Sequence, residues 1–207
     1  MTGLRERQKE DRQARIAQVA KSLFLKHGFE KTTIEDIAQA AGMSGVTVHN
    51  YYGTKSGILL ALVAENDRTL VTRLNKELAN CPQTVTEVML SFSKTIMEHA
   101  VANLRKVIWR QVIATVTANA DDSVSKPYFD LDQELAQVLV QKMERMKAAG
   151  ALPPSVVPEH LGKALFHLQN ARFIQFVCSE NLQIEDVLRR IRNDLDALFA
   201  VQATVTA

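Results

Sequence analysis

The chain has 207 residues, 46% apolar and 23% charged, proportions typical of a globular protein and not of a disordered or fibrous one. No apolar run approaches the roughly 18 residues that a membrane span needs, and the N-terminus lacks the apolar core of a signal peptide, so we expect a soluble cytoplasmic protein with no membrane partner. The two cysteines, Cys81 and Cys178, are far apart and indicate neither a disulfide framework nor a zinc site. We expect no metal and no cofactor. Cys178 is open to two interpretations, a redox sensor or a small buried hydrophobic residue, and we expect the second.

The charge is unevenly divided along the chain. Residues 1–57 carry nine Lys and Arg residues against six Asp and Glu residues, although the net charge of the whole chain is only +2. A basic head on a near-neutral body is typical of a nucleic-acid-binding domain joined to a domain with another role. We therefore predict two domains, over residues 1–57 and 58–207.

Long stretches with apolar residues at helical spacing, separated by sparse glycine and proline, predict an all-α chain of about nine helices. The first helix is expected over about residues 5–27, with Gly28 as its left-handed end. Thr32-Thr33 stands three residues before Glu35-Asp36. This is the spacing of a capping box, and it predicts the start of the second helix.

Turn residues mark the limits of the remaining helices. Gly42 is expected to end the second helix, Ser44 to cap the third, and Gly53-Thr54 to end the third and cap the fourth. The helix near residue 170 is apolar around much of its circumference, so we expect it to be buried on several sides. Together with the last helix it suits either half of an intermolecular four-helix bundle or a purely intramolecular core. The later helices are expected over about residues 55–79, 84–99, 103–118, 127–149, 159–179 and 184–201, with a polar loop over 119–125.

Residues 32–60 have the layout of a helix-turn-helix, in which a glycine turn sets one short helix across another. Ala38 and Ala41 are small enough for a close crossing, and Gly42 permits the positive φ that such a turn requires. Either Val46 or Val48 is expected to pack inward. Lys55, at the start of the fourth helix, is expected to hold a phosphate. The side chains left to face a DNA groove are short, polar or aromatic: Ser44, Gly45, Thr47, His49, Asn50 and Tyr51.

This stretch resembles the N-terminal domain of the TetR family of bacterial transcriptional regulators. The resemblance implies phosphate contacts by Thr33, Tyr51 and Lys55. It implies base reading by Gly45, Val46, Thr47, His49 and Asn50. His49 stands where the family usually has a tyrosine, so the family's operator sequences do not transfer to this chain. The matching residues are Arg15-Ile16, Ala20, Phe24, Gly28, Thr32-Thr33, Ile37-Ala38, Ala41-Gly42-Met43-Ser44, Thr47-Val48, Tyr52, Lys55 and Leu59.

The same resemblance implies how the rest of the chain works. It implies a homodimer formed through the helices at about 159–179 and 184–201, bound to a palindromic double-stranded DNA operator and released by a small-molecule effector. The effector would lie among the helices between about residues 84 and 177, where an apolar cavity with a few polar anchors is the common kind of ligand site. The candidate lining residues are Phe92, Ile96, His99, Ile108, Trp109, Val112, Tyr128, Phe129, Met143, Phe166, His167, Asn170 and Phe173.

Other functions fit the sequence less well. A ligand-dependent activator of the same fold is an alternative to a repressor, and a helical interaction module without DNA binding is a third possibility. An enzyme is not expected, because the chain has no glycine-rich phosphate loop, no His-Glu-x-x-His and no nucleophile elbow. We therefore assign no catalytic residues and no metal ligands.

Overall fold

A computed structural model describes residues 2–79, 84–118 and 122–205, and across these three stretches the secondary structure is helical, with nine helices and no strand. The predicted all-α fold is confirmed. The helices are α1 Thr2–His27, α2 Ile34–Ala41, α3 Gly45–Tyr52, α4 Lys55–Ala79, α5 Val85–Asn103, α6 Lys106–Ala118, α7 Asp122–Ala148, α8 Pro158–Cys178 and α9 Ile184–Val205.

The chain divides into two compact units. One unit comprises Met1–Asp67 with Val107–Phe129, and the other comprises Arg68–Lys106 with Asp130–Ala207. The predicted boundary at residue 57 stays a prediction. No helix in the described stretches has the length and apolar character that crossing a membrane requires.

The core of the first unit is built where the short helices meet. Residues at helical spacing on α1 and the inward face of α2 are almost completely buried, and Val48 joins them from α3. The first turns of α4 complete this core with three consecutive buried apolar residues. Three neighbouring helical residues point in different directions, so this part of α4 is covered from more than one side. The buried residues are Ile16, Ala20, Phe24, Ile37, Ala38, Ala41, Val48, Ile58, Leu59 and Leu60.

The second unit is organised around α5, which packs against both α8 and α9. Helix α5 is buried on several faces, through Val88, Phe92 and Met97 among others. Helices α7 and α8 approach backbone to backbone, since a Cβ on Gly162 would lie 2.7 Å from both the nitrogen and the Cα of Val140. Only a residue without a side chain fits this crossing.

One lysine side chain forms hydrogen bonds with the turn between α8 and α9. The Nζ of Lys106 donates to the carbonyl of Ser179 at 2.9 Å and to that of Leu182 at 2.7 Å. The same ammonium lies 3.9 Å from the ring centroid of Phe176, so an aromatic face also contacts the charge. The start of α6 is thereby tied to the turn between the last two helices.

Several sequence-based boundaries were wrong. Helix α6 begins at Lys106 and not near residue 103, because α5 continues to Asn103 and Leu104 is extended. Helix α7 begins at Asp122, so the predicted loop over 119–125 is wrong from Asp122 onward, and residues 119–121 lie outside the described stretches. The polar composition of this segment indicated a loop, but Asp and Ser also favour the starts of helices.

Helix α8 is only partly covered. Leu165, Phe166 and Phe173 are buried as expected, but Ile174 is 43% exposed, and Leu198 on α9 is 60% exposed. Cys178 is exposed at the end of α8, so its predicted burial is wrong. An apolar strip of the last two helices is therefore uncovered in the single chain.

Candidate nucleic-acid interface

The start of α2 is fixed by a reciprocal pair of hydrogen bonds. The backbone N–H of Asp36 donates to Oγ1 of Thr33 at 3.0 Å, and the backbone N–H of Thr33 donates to Oδ2 of Asp36 at 2.9 Å. The predicted capping box is confirmed for this pair. The bond from the Thr33 backbone, followed by that from its side chain, lowers the pKa of Asp36 from its usual value.

A glycine turn sets the angle between α2 and α3. Gly42 has φ 68° and ψ 38°, a left-handed conformation that glycine adopts without steric cost. The backbone N–H of Met43 donates to the carbonyl of Ala38 at 2.9 Å, which satisfies a carbonyl at the end of α2. The turn is therefore closed by the backbone itself.

Two hydroxyl groups organise the first turn of α3. Ser44 caps the helix, since its Oγ accepts from the backbone N–H of Thr47 at 3.1 Å. The same oxygen lies 2.8 Å from Oγ1 of Thr47, so the two hydroxyl groups are hydrogen-bonded to each other. The predicted cap is confirmed, and one hydroxyl hydrogen of the pair is used within it.

The two valines of α3 take opposite sides. Val48 is completely buried, whereas Val46 is 71% exposed. The structure thus decides between the two residues that the sequence left open for inward packing. Val46 lies on the outer face, three and four residues before His49 and Asn50, which are also exposed.

The other predicted DNA contacts lie around this face. Thr33 and Ser44 are exposed, while Gly45, Thr47 and Tyr51 are half-buried on α3. Arg12 and Arg15 of α1, which are not among the predicted DNA contacts, line a surface groove together with Met43 and Thr47. The sequence leaves Arg12 open to two interpretations, a basic arm in the minor groove or a solvated helix face, and it places Arg15 only in the family pattern.

Tyr52 anchors α3 to α1. Its hydroxyl donates to the carbonyl of Gln13 at 3.0 Å, across 39 residues of sequence. In the sequence, Tyr52 has no predicted role beyond its part in the family pattern. The bond connects the last residue of α3 to the middle of α1, so it supports the orientation of α3.

Lys55 makes contacts that the sequence did not predict. Its Nζ donates to the carbonyl of Phe29 at 2.8 Å and lies 3.4 Å from that of Glu30. The ammonium also lies 4.3 Å from the centroid of the Phe29 ring. Since an ammonium has three donors, a phosphate contact remains available to it, and that contact stays a prediction.

The predicted effector residues fall in both compact units. Ile108, Trp109, Val112, Tyr128 and Phe129 belong to the first, and the other eight belong to the second. Tyr128, His99 and Asn170 are half-buried, whereas Phe129 and His167 are exposed. Asn170 donates to Oδ2 of Asp132 at 2.9 Å, and Asn103 donates to the carbonyl of His99 at 2.9 Å. The buried members are Phe92, Ile96, Ile108, Trp109, Val112, Met143, Phe166 and Phe173.

A buried amide in the second unit was missed. Gln169 of α8 is 1% exposed, and among the described residues neither its nitrogen nor its oxygen has a hydrogen-bond partner. Ser93 of α5, a helix that packs against α8, is fully buried and its hydroxyl is equally without a partner there. The sequence signal was a glutamine within an apolar helix, but its lack of partners depends on the fold.

Among the residues that the structure describes, no three His, Cys, Asp or Glu side chains are grouped closely enough to hold a metal ion.

The N-terminal part of the chain is similar in sequence to a known protein family. Residues 16–62 match the sequence model of the bacterial regulatory proteins of the tetR family. The nucleoid occlusion factor SlmA of Haemophilus influenzae is 23% identical over 155 residues, which cover 74% of this chain and 71% of that protein.

Solved structures match nearly the whole chain. Thermus thermophilus FadR, a TetR-family repressor in complex with lauroyl-CoA, superposes with a TM-score of 0.70 at 21% identity, covering 90% of this chain and 93% of that one. A TetR-family regulator of Pectobacterium atrosepticum superposes with a TM-score of 0.68 at 15% identity, covering 92% and 93% of the two chains. At these identities the likeness establishes the fold.

Proposed function

We propose that this chain, whose residues 16–62 match the bacterial regulatory proteins of the tetR family, is a homodimeric DNA-binding transcriptional regulator that represses a promoter until a small molecule releases it. It acts on a double-stranded DNA operator in the cytoplasm. The DNA-binding domain comprises residues 1–57, and residues 58–207 bind the effector and form the dimer.

The outer face of α3 carries the DNA-binding proposal. Val46, His49 and Asn50 are exposed on one face of a short helix that the Gly42 turn and the Ser44 cap hold in place. A helix of this kind fits the major groove, where side chains reach base edges. Around it, Thr33, Tyr51 and Lys55 contact phosphates, while Gly45 allows close approach of the backbone and Thr47 meets a base edge.

Selection of duplexes from a random DNA library, followed by gel shifts at several salt concentrations, tests this function. We expect one palindromic sequence to be retained, with affinity that falls steeply with salt because phosphate contacts release counterions. His49→Ala should change the preferred base at one position of each half-site more than it lowers the overall affinity. Gln133→Ala, an exposed position on α7, is the control and should leave both unchanged. Equal losses on every sequence would contradict base reading by His49.

The uncovered strip of α8 and α9 supports the dimer. Ile174 and Leu198 leave apolar surface exposed on the two helices predicted to pair. A two-fold dimer buries the same patch of both subunits. It also sets two α3 helices about 34–36 Å apart, one turn of DNA, which matches a palindromic operator.

Two buried polar side chains without partners among the described residues support the effector. Gln169 and Ser93 hold polar groups that a bound molecule would satisfy, and Phe166 and Phe173 stand one turn of α8 to either side of Gln169. The structurally similar FadR holds lauroyl-CoA, so acyl thioesters are the first class of effector to test. Lauroyl-CoA added to the retained complex should release the DNA, and Gln169→Leu should reduce that release. If lauroyl-CoA leaves the complex intact, this compound is excluded as the effector.

A further inference from the structure

We propose that Val46 reads the 5-methyl group of a pyrimidine base in the major groove, which in unmodified DNA is the methyl group of thymine. This proposal rests on the DNA binding proposed above and names the chemistry that one residue of that interface recognises. Its starting point is an exposure of 71%, the highest of any large apolar side chain in the described stretches. A valine so exposed gains from any partner that removes it from water.

The neighbouring side chains leave this task to Val46. Gly45 has no side chain, and the hydroxyl groups of Ser44 and Thr47 are hydrogen-bonded to each other at 2.8 Å. Ser44 is further engaged as the cap, since it accepts from the backbone N–H of Thr47. In the first turn of α3, Val46 is therefore the side chain that projects outward, and it has no polar atom.

The major groove offers a matching group. Each base pair shows a distinct pattern of donors, acceptors and methyl groups there, and the methyl on C5 of thymine is the apolar feature of that pattern. His49 and Asn50 lie three and four residues after Val46 and are exposed, so they occupy the same face one turn later. An apolar contact from Val46 thus sits beside side chains able to hydrogen-bond to the adjacent bases.

Single-base replacement in the operator tests the proposal. In the duplex selected by the wild-type protein, each thymine is replaced in turn by deoxyuridine, which lacks only the methyl group. At one position of each half-site we expect a loss of about fourfold in affinity, equivalent to about 0.8 kcal/mol for one buried methyl group. Val46→Ala should bind the thymine duplex with reduced affinity and should not distinguish it from the uracil duplex at that position.

Two further variants sharpen the result. Val46→Thr keeps one of the two methyl groups and should keep part of the discrimination. Val157→Ala removes the same two methyl groups from a valine that is 48% exposed between α7 and α8, and should keep the full thymine-to-uracil ratio. A second pair of duplexes carries a cytosine–guanine pair at that position, with either 5-methylcytosine or unmethylated cytosine. If Val46 reads the methyl group whichever base carries it, the wild type should prefer the methylated duplex.

The outcomes separate this proposal from the function on which it rests. If the protein retains a duplex but binds thymine and uracil equally at every position, or if Val46→Ala keeps the wild-type ratio, Val46 does not read a methyl group and the DNA-binding function stands. If no duplex is retained, the proposed function fails and this proposal fails with it.

Discussion

The ammonium of Lys55 donates a 2.8 Å hydrogen bond to the carbonyl of Phe29 and lies 4.3 Å from the centroid of the same residue's ring. The first residue of α4 is thus bound to the segment that connects α1 with α2. The same lysine is expected to contact a DNA phosphate. A structural contribution and an electrostatic one can be measured separately, because the first changes folding and the second changes the salt dependence of binding.

Lys55→Met tests both contributions. The loss of charge-assisted hydrogen bonds and of the aromatic contact should lower the free energy of unfolding in urea by about 1–3 kcal/mol. If Lys55 also binds a phosphate, the slope of log affinity against log salt should fall by about 0.9 for each phosphate that the variant no longer neutralises. Lys31→Met, at an exposed position before α2, is the control for both measurements. Wild-type stability in the Lys55 variant would show that the contacts with Phe29 contribute nothing to folding.

Acid should weaken the capping box at the start of α2. The hydrogen bonds from Thr33 lower the pKa of Asp36, so this carboxylate stabilises the fold above the pKa it has in the unfolded chain, about 3.9. The contribution is lost as pH falls through the lowered value. We expect the difference in melting temperature between the wild type and Asp36→Asn to be full at neutral pH and to vanish in acid. Glu35→Gln is the neighbouring control; a difference that grew toward acid would contradict this account.

Gln169→Leu should stabilise the protein in the absence of effector. Both polar atoms of the Gln169 amide are buried without a partner among the described residues, and leucine has a similar volume with no polar atom. Removing the desolvation cost should raise the free energy of unfolding by about 1–3 kcal/mol. Gln133→Leu, at an exposed position on α7, should change it by less than about 0.5 kcal/mol. A less stable Gln169 variant would mean that the amide has a partner, such as an ordered water.

Charge on the uncovered strip should break the dimer. Ile174→Lys combined with Leu198→Lys places two ammonium groups where apolar side chains are 43% and 60% exposed. In a paired arrangement both charges would be buried without partners, so sedimentation should show a monomer. Val101→Lys, on α5 at 38% exposure, should leave the dimer intact. A double variant that stayed dimeric would place the interface elsewhere.

Local rules predicted the helix-turn-helix well. The Thr33–Asp36 box, the Gly42 turn and the Ser44 cap each depend on residues within a few positions of one another, so the sequence alone contains the needed information. The choice between Val46 and Val48 was different. Helix α3 has eight residues, and only its packing against the other helices decides which valine faces inward.

Tertiary contacts explain the remaining misses. The bonds of Lys55 to the Phe29 carbonyl and of Tyr52 to the Gln13 carbonyl connect residues 26 and 39 positions apart, and no local pattern encodes them. A glutamine in an apolar helix does not reveal that its amide lacks hydrogen-bond partners, because that depends on the neighbouring helices. For residues 58–207, the sequence predicted the helices but not which of the candidate effector residues are buried.

The contact between Gly162 and Val140 has a consequence for protein engineering. Glycine inside a helix costs roughly 0.5–1 kcal/mol relative to alanine, so Gly162→Ala is an obvious first attempt to make a more robust variant. The added methyl group would lie only 2.7 Å from the backbone of Val140. The substitution would therefore force α7 and α8 apart. The close approach of the two helices therefore requires the glycine inside α8, and a gain in stability has to come from other positions.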